Sequence, residues 1–321
     1  CSVCVDEKHF PWPLISMRKS LMENSSVITA TNLVKKYGDL EVVKGIDFSV
    51  PAGQCFGLLG PNGAGKSTTM RMIMGLSEVT GGTLTVFGKP ASGMARDVKA
   101  KIGLVPQESN LDPDITVLEN LYAFGRYFAL PRNVIEERAK KLLEFMQLID
   151  KQHAPVNALS GGMKRRLTIA RALIGDPEMV ILDEPTTGLD PQARVLIWKQ
   201  LLELKKDGRT LLLTTHYMDE AQRLCDQIVI IDGGRILDHG TPEELIARRV
   251  KGFVFEVQKP HVPGSSADRW DQEDIGDSVL YFVEDTAEFI ADLPEDAIYL
   301  HRPANLEDVF LRLTGRQLRE N

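Results

Sequence analysis

Cys55-Phe56-Gly57-Leu58-Leu59-Gly60-Pro61-Asn62-Gly63-Ala64-Gly65-Lys66-Ser67-Thr68 is the stretch that decides the fold class. Its first five residues form a short apolar run of strand type, and residues 60–68 fit the phosphate-binding loop that joins a strand to a helix. Glycines let successive backbone N–H groups point into one concavity without interference from Cβ. A helix starting near Lys66 aims its positive dipole end into the same space. In such an anion nest Lys66 would neutralise the β- and γ-phosphates of a nucleoside triphosphate, and the Ser67 hydroxyl would ligate Mg2+. The bland alternative is a glycine-rich surface turn, and the strand before and helix after weigh against it. The implied architecture is α/β.

Working outward, Met179-Val180-Ile181-Leu182 is a short apolar run ended by Asp183, Glu184 and Pro185, the pattern of a fully buried strand. Ligands of open α/β sheets bind at the carboxyl ends of strands. Asp183 can therefore reach a Mg2+ shell, and Glu184 a water in line with the γ-phosphate, as general base. Without that chemistry, Glu184 would only close a turn before Pro185. Gln107 follows the strand-like Ile102-Gly103-Leu104-Val105 and would approach both Mg2+ and the attacking water. His216 ends another apolar strand, Leu211-Leu212-Leu213-Thr214-Thr215, where it would contact the γ-phosphate or the water. Tyr37, in Lys35-Lys36-Tyr37-Gly38, either packs a hairpin or stacks on adenine.

A second motif, Leu159-Ser160-Gly161-Gly162-Met163-Lys164-Arg165-Arg166, places a Ser-Gly-Gly helix start ahead of the Asp183 strand. Together these residues resemble the nucleotide-binding subunit of ATP-binding-cassette (ABC) transporters over about residues 27–241. The resemblance implies an A-loop at Tyr37, Walker A at 60–68, a Q-loop at Gln107, a signature at 159–163, Walker B at 179–184, a D-loop at Gly188-Leu189-Asp190 and a switch histidine at His216. It further implies that Ser160, Gly161 and Gly162 grip the γ-phosphate held by another copy, in a head-to-tail homodimer around two MgATP. Met163 departs from the glutamine most common in that signature, a mild change because Ser160 and the glycine backbone would carry the contact. The implied fold is a P-loop cassette with a mixed parallel core, a flanking antiparallel β subdomain and a helical insertion.

Three further segments sharpen the likeness: 105–114 with Phe124-Gly125-Arg126-Tyr127-Phe128, the Ser-Gly-Gly-Met-Lys-Arg-Arg form of the signature, and the tail Arg302-Pro303-Ala304-Asn305-Leu306-Glu307-Asp308-Val309-Phe310. These are similar to the nodulation-factor exporter ATPases and their daunorubicin-resistance-like relatives. That resemblance implies an exporter whose cargo is chosen by a separate membrane permease.

The 321 residues are 43% hydrophobic and 26% charged, the balance of an ordinary globular protein. A net charge of −7 gives no basic footprint for nucleic acid or anionic lipid, so no nucleic-acid partner is expected. No apolar run approaches the ~20 residues that cross a bilayer. A transport role therefore calls for a membrane-spanning partner, with this chain peripheral on the cytoplasmic face. Four cysteines, Cys1, Cys4, Cys55 and Cys225, make no disulfide framework. Cys1 and Cys4 have metal-ligand spacing but lack a second pair, and residues 1–26 are expected to be a poorly ordered extension without a secretion signal, with Met17 or Met22 as candidate starts.

Segments 28–34 and 41–50 alternate like strands of a small antiparallel sheet. Residues 117–128 and 134–149, bounded by Asp114, Pro131 and Asn133, have helical spacing and form a helical insertion of about 108–160. In the resembled family this insertion receives the permease; Phe124, Tyr127 and Phe128 are equally read as core packing between helices. The cassette is expected to span 27–248, closed by a helix through Ala247. Residues 249–321 then form a small α+β appendage with strands at 253–257, 279–283 and 297–300, a helix at 286–291 and a loop over 261–277. Asn305 caps a last helix whose Leu306, Val309, Phe310 and Leu313 share one face and which Gly315 ends. That face docks either on the appendage's own sheet, the favoured reading, or on a second subunit. Regulation, dimer support and permease contact are all open for the appendage. The competing overall function is a soluble cassette ATPase acting on the ribosome or DNA. A single P-loop and the lack of extended heptads weigh against it, while the presence of both Glu184 and His216 weighs against a pure ATP sensor.

Overall fold

The computed structural model describes residues 25–250, 252–259, 261–263 and 269–315. Expectations for Cys1, Cys4, the candidate starts and nearly all of the 1–26 extension lie outside the described residues. The chain divides into a first compact unit ending at Leu237 and a second from Asp238 onward.

In the first unit, the two long strands β1 (Ser26–Tyr37) and β2 (Leu40–Pro51) pair antiparallel through a two-residue turn, and β1 also pairs with β4 (Gly81–Val86). With β5 (Lys89–Pro90) they make a four-stranded sheet in the order β2-β1-β4-β5. The second sheet runs β10-β9-β3-β8-β7-β6. Its strands are β3 (Cys55–Leu59), β6 (Ile102–Val105), β7 (Met179–Asp183), β8 (Thr210–Thr215), β9 (Gln227–Asp232) and β10 (Arg235–Gly240), the last carrying the chain out of the first unit. From β6 to β9 the pairing is parallel. Every residue of β3 and β8 is buried. Parallel strands covered on both faces demand such continuous apolar runs, which is why Cys55–Leu59 and Met179–Asp183 are legible as strands.

One apolar cluster joins the two sheets. Ile28, Leu33, Val50 and Val86 of the antiparallel sheet pack with Phe56, Met179, Ile181, Leu212 and Val229 of the parallel one, and Met70 and Ile73 of helix Lys66–Ile73 lie among them. The helical insertion holds Val117–Tyr127 and Arg132–Phe145. Its first helix starts at a capping box made by Thr116 and Glu119 rather than at Asp114, since the threonine hydroxyl can accept from the Glu119 amide while the glutamate reaches back.

The second unit opens with helix Pro242–Arg249, capped by the Thr241–Glu244 box. Its sheet has the order β12-β13-β11-β14, with β11 (Phe253–Gln258), β12 (Asp271–Asp274), β13 (Ser278–Val283) and β14 (Tyr299–Pro303), all antiparallel. Strand β12 corrects the expected 261–277 loop. Its acidic sequence carries no strand pattern, and it forms because β13, wholly buried, needs a partner on that side. The third strand lies two residues later than expected. One face of the sheet packs Phe255, Val257 and Tyr281 on Phe289 of helix Thr286–Asp292. The opposite face meets the last helix, Leu306–Thr314: Arg302 on β14 pairs with Asp308 at 2.6 and 2.7 Å, and the Arg312 guanidinium covers the Phe282 ring at 4.2 Å. This is docking on the unit's own sheet. Asn305 caps the helix and Gly315 ends it at φ 63°. Leu311 is buried where Leu313 was expected and Leu313 is only half-covered, because the helix is also packed against helix Pro242–Arg249, which widens its apolar stripe.

Candidate nucleotide site

The loop after β3 bends through residues that only glycine tolerates. At Gly60, φ is 153° and a Cβ would lie 2.0 Å from the Ile231 carbonyl oxygen. Gly65, at φ 106°, caps helix Lys66–Ile73. Lys66 is 6% exposed and donates from Nζ to the carbonyls of Gly60 (2.6 Å) and Pro61 (2.9 Å), so its ammonium is held inside the loop's own curve. Burial pushes its pKa down, against the opposing pull of the Glu184 and Asp183 charges. Ala64 and Gly65 are buried, Asn62, Gly63 and Ser67 are exposed, and Thr68 is half-buried, so the concave side faces outward with a hydroxyl at its rim.

Three neighbouring strand ends converge beside the loop. Asp183 closes β7, and Thr214 of β8 donates to its Oδ1 at 2.5 Å. Glu184 follows with φ 45°, a left-handed backbone rare for a residue that has a Cβ. Its amide is held by the Thr214 carbonyl at 3.0 Å. The turned backbone delivers the carboxylate into a polar set: Gln107 Nε2 donates to Oε2 at 3.1 Å, Thr187 Oγ1 to the same oxygen at 3.2 Å, and His216 Nδ1 lies 3.2 Å from Oε1. The close His216 imidazole, first of all, and then Thr187 and the Lys66 charge hold this carboxyl below the ordinary glutamate range, with burial opposing. Glu184 is thus an ionised acceptor at neutral pH. Lys66, Asp183, Glu184, Gln107 and His216, each read separately from sequence, form one constellation.

Ser160, Asp190 and Tyr37 do not join it. Ser160 is exposed at the start of helix Gly161–Leu173 and accepts from the Met163 amide at 3.3 Å. Asp190 caps helix Pro191–Lys206 by accepting from Ala193 at 2.9 Å. The two helix starts touch each other: a Cβ on Gly162 would lie 2.8 Å from that of Ala193, so only glycine permits the approach. Ser160 and Asp190, both exposed, therefore make a second, outward-facing cluster. Tyr37, 48% exposed, ends β1 with Lys35 Nζ 4.8 Å from its ring centre and is not packed into a hairpin core.

Two residues of the site went unrecognised in the sequence. Arg165, 7% exposed, spreads its guanidinium over main-chain carbonyls of the β6 and β7 ends: Pro185 (2.6 Å), Asp183 (2.8 Å), Glu184 (3.0 Å), Gln107 (3.3 Å) and Pro106. Burial lowers its pKa to about 10, and it stays protonated at neutral pH. Glu220, fully buried, accepts from Thr186 at 2.7 Å and Trp198 at 3.0 Å, tying the turn after Pro185 to helix Met218–Leu224.

The donor set also bears on a metal. The Ser67 hydroxyl and the Asp183 carboxylate are hard oxygen donors that suit Mg2+, an ion usually held by one or two protein groups plus phosphate oxygens. Among the described residues no cluster of three or more His, Cys, Asp or Glu forms an all-protein cage.

Comparison with known proteins agrees with the geometry. Residues 43–187 match the family model described as ABC transporter, and 261–315 match the C-terminal domain of the nodulation factor export protein NodI. The Nod factor export ATP-binding protein I of Ralstonia nicotianae is 49% identical over 92% of this chain and 96% of its own. That of Rhizobium meliloti is 49% identical over 92% and 90%. Among solved structures, cbiO1 of Clostridium perfringens, part of the ABC transporter complex cbiONQ, aligns with TM-score 0.66 at 29% identity over 70% of this chain and 92% of its own. The cassette MJ0796, solved as a dimer in a post-hydrolysis state bound to ADP and Pi, aligns with TM-score 0.61 at 28% identity over 67% and 98%. None of these supports a cassette working on the ribosome or DNA. Among the described residues no helix is long and apolar enough to cross a membrane. The chain belongs to the ATP-binding-cassette transporter family, as an ATP-binding, ATP-hydrolysing subunit of the exporter type.

Proposed function

We propose that two copies of this chain close head to tail around two MgATP and, by hydrolysing them, drive a separate membrane-spanning export permease from its cytoplasmic face. The observation that carries this reading is the Glu184 carboxylate, turned by a left-handed backbone into the reach of Gln107, Thr187 and His216 beside the Lys66 loop. In this reading Lys66 and the backbone of residues 60–68 bind the β- and γ-phosphates. Ser67 and Asp183 hold Mg2+, with Gln107 near it and Asp183 acting directly or through water. The ion supplies charge neutralisation on the phosphoryl group being transferred. Glu184 accepts the proton of the attacking water, Gln107 and His216 orient that water and the carboxylate, and Tyr37 stacks on adenine. Ser160, Gly161 and Asp190 stand exposed in one cluster around the buried Gly162, as groups reserved for the nucleotide of the other copy would.

The working division is a cassette of residues 27–248 with its helical subdomain at about 108–160, an extension before it and an accessory domain over 249–321. The contact division at Leu237 and the packing of helix Pro242–Arg249 on the last helix favour moving the accessory boundary into β10, after Leu237. Cargo selection belongs to the permease; the names of the relatives favour export of a Nod-factor-like molecule. Purification of the tagged chain from its native membrane tests the reading. An integral-membrane permease should accompany it, and recovery with ribosomes or DNA alone would overturn the assignment.

A further inference from the structure

We propose that Arg165 is the positioning residue for Glu184, holding the backbone that aims the catalytic carboxylate; this rests on Glu184 being the base. A guanidinium carries five N–H donors in a rigid planar fork. Here all three of its nitrogens are used, on five carbonyls that belong to two strand ends: Pro106 and Gln107 after β6, and Asp183, Glu184 and Pro185 at and after β7. Charge-assisted bonds to neutral carbonyls exceed ordinary backbone bonds in strength. No carboxylate competes for the fork among the described contacts, so its whole hydrogen-bonding capacity is spent on main chain.

The position of those carbonyls gives the arrangement its meaning. Glu184 holds φ 45° immediately before a proline, a combination that steric crowding disfavours and that persists only where surroundings over-determine it. Thr214 holds the Glu184 amide from one side and Arg165 holds its carbonyl from the other. The same fork holds Gln107 by its carbonyl, leaving that side chain to donate to Glu184 Oε2. Both partners in the Gln107–Glu184 contact are thus placed by one side chain. Arg165 itself reaches no carboxylate oxygen of Glu184, so it acts through the backbone and is not a catalytic residue. It projects from helix Gly161–Leu173, the helix capped by Ser160.

Lysine keeps the charge of Arg165 but offers a point donor in place of the fork. In the full-length chain, Arg165→Lys is expected to lower kcat for MgATP about 10- to 100-fold, a misaimed base rather than a missing one, while the KM for MgATP and the monomer's affinity for MgATP stay within about threefold. Because the effect passes through Glu184, single-turnover hydrolysis by Arg165→Lys combined with Glu184→Gln should match Glu184→Gln alone. A kcat within twofold of the parent, or losses that multiply in the double variant, would overturn the proposal. Should Arg165→Lys fail to fold, Arg165→Gln, with a smaller planar donor group, is measured the same way and judged by the same criteria. The two readings separate cleanly: parental turnover in Glu184→Gln alone sinks the base assignment, whereas an inactive Glu184→Gln beside a fully active Arg165→Lys sinks only the positioning role.

Discussion

The strand ends of the first unit and the sheet of the second use the same residue types for opposite purposes. In the first, Glu184, Gln107, His216 and Lys66 are brought from four segments to one place, and an acidic residue sits on a left-handed backbone to face them. In the second, acids and arginines close structure: Asp308 takes Arg302 and completes the Asn305 cap, and Asp238 takes Arg248 and Arg249 at 2.6 Å each. The first arrangement costs backbone strain and keeps the charges of Lys66 and Glu184 largely buried. In the second, the Asp308 and Asp238 pairs are made within eleven residues of each acid. What sets the first region apart is that several side chains from separate segments converge on one acid held on a strained backbone.

Substitutions can break that contrast if it is wrong. The largest effect is expected at Glu184. Replacing it with glutamine keeps the shape and removes the proposed base, so steady-state hydrolysis should fall by ~10²–10⁴ with folding intact. Parental turnover would mean that the convergent acid has no catalytic role. The counterpart in the second unit is Phe310, 2% exposed in the last helix. Phe310→Ala should cost the second unit ~3–5 kcal/mol in denaturant or thermal unfolding while MgATP affinity remains parental. Lost nucleotide binding at unchanged stability would reverse the roles assigned to the two regions. Lys66→Ala comes next. Loss of a charge-assisted phosphate contact worth ~1.5–3 kcal/mol should weaken MgATP about 10- to 100-fold in a binding titration.

The smallest effect is a pH dependence. Since the folded protein holds the Glu184 carboxyl below its ordinary value of 4.5, the stabilisation from its ionised form is present above that value. It is lost as pH falls through the lowered one. The melting-temperature gap between parent and Glu184→Gln should therefore be widest near neutral pH and narrow as pH drops below about 4.5. A gap that widens on acidification would show that His216 and Lys66 do not favour the charged form.

The same contrast explains what was legible in the sequence. Each strand end of the first unit announces itself locally, by an apolar run followed by one polar residue, so Gln107, Asp183, Glu184 and His216 could be read before any contact was known. Arg165 could not, because its partners are main-chain carbonyls 18 to 59 residues away, and carbonyls leave no mark in a sequence. A buried arginine inside an otherwise apolar helix face was the one available signal. Cys55 and Cys225 likewise meet with sulfurs 3.9 Å apart only because β3 and the end of helix Met218–Leu224 are neighbours. In the second unit, β12 escaped notice because Asp271-Gln272-Glu273-Asp274 is a strand by partnership alone, fixed by β13 and by ion pairs from Lys259 and Arg312. The exchange of Leu313 for Leu311 has a similar cause: periodicity gives the face of a helix, but the width of its stripe depends on how many neighbours it has.

In the proposed dimer the exposed Ser160 cluster and the Glu184 constellation complete each other only between two copies. Sedimentation of the Glu184→Gln chain, with and without MgATP, tests it most directly. The account predicts a monomer alone or with MgADP, a stable dimer with MgATP, and no dimer when Ser160→Arg is added even though each monomer still binds MgATP. A Glu184→Gln chain that stays monomeric when saturated with MgATP, or a Ser160→Arg monomer that no longer binds it, would contradict the account.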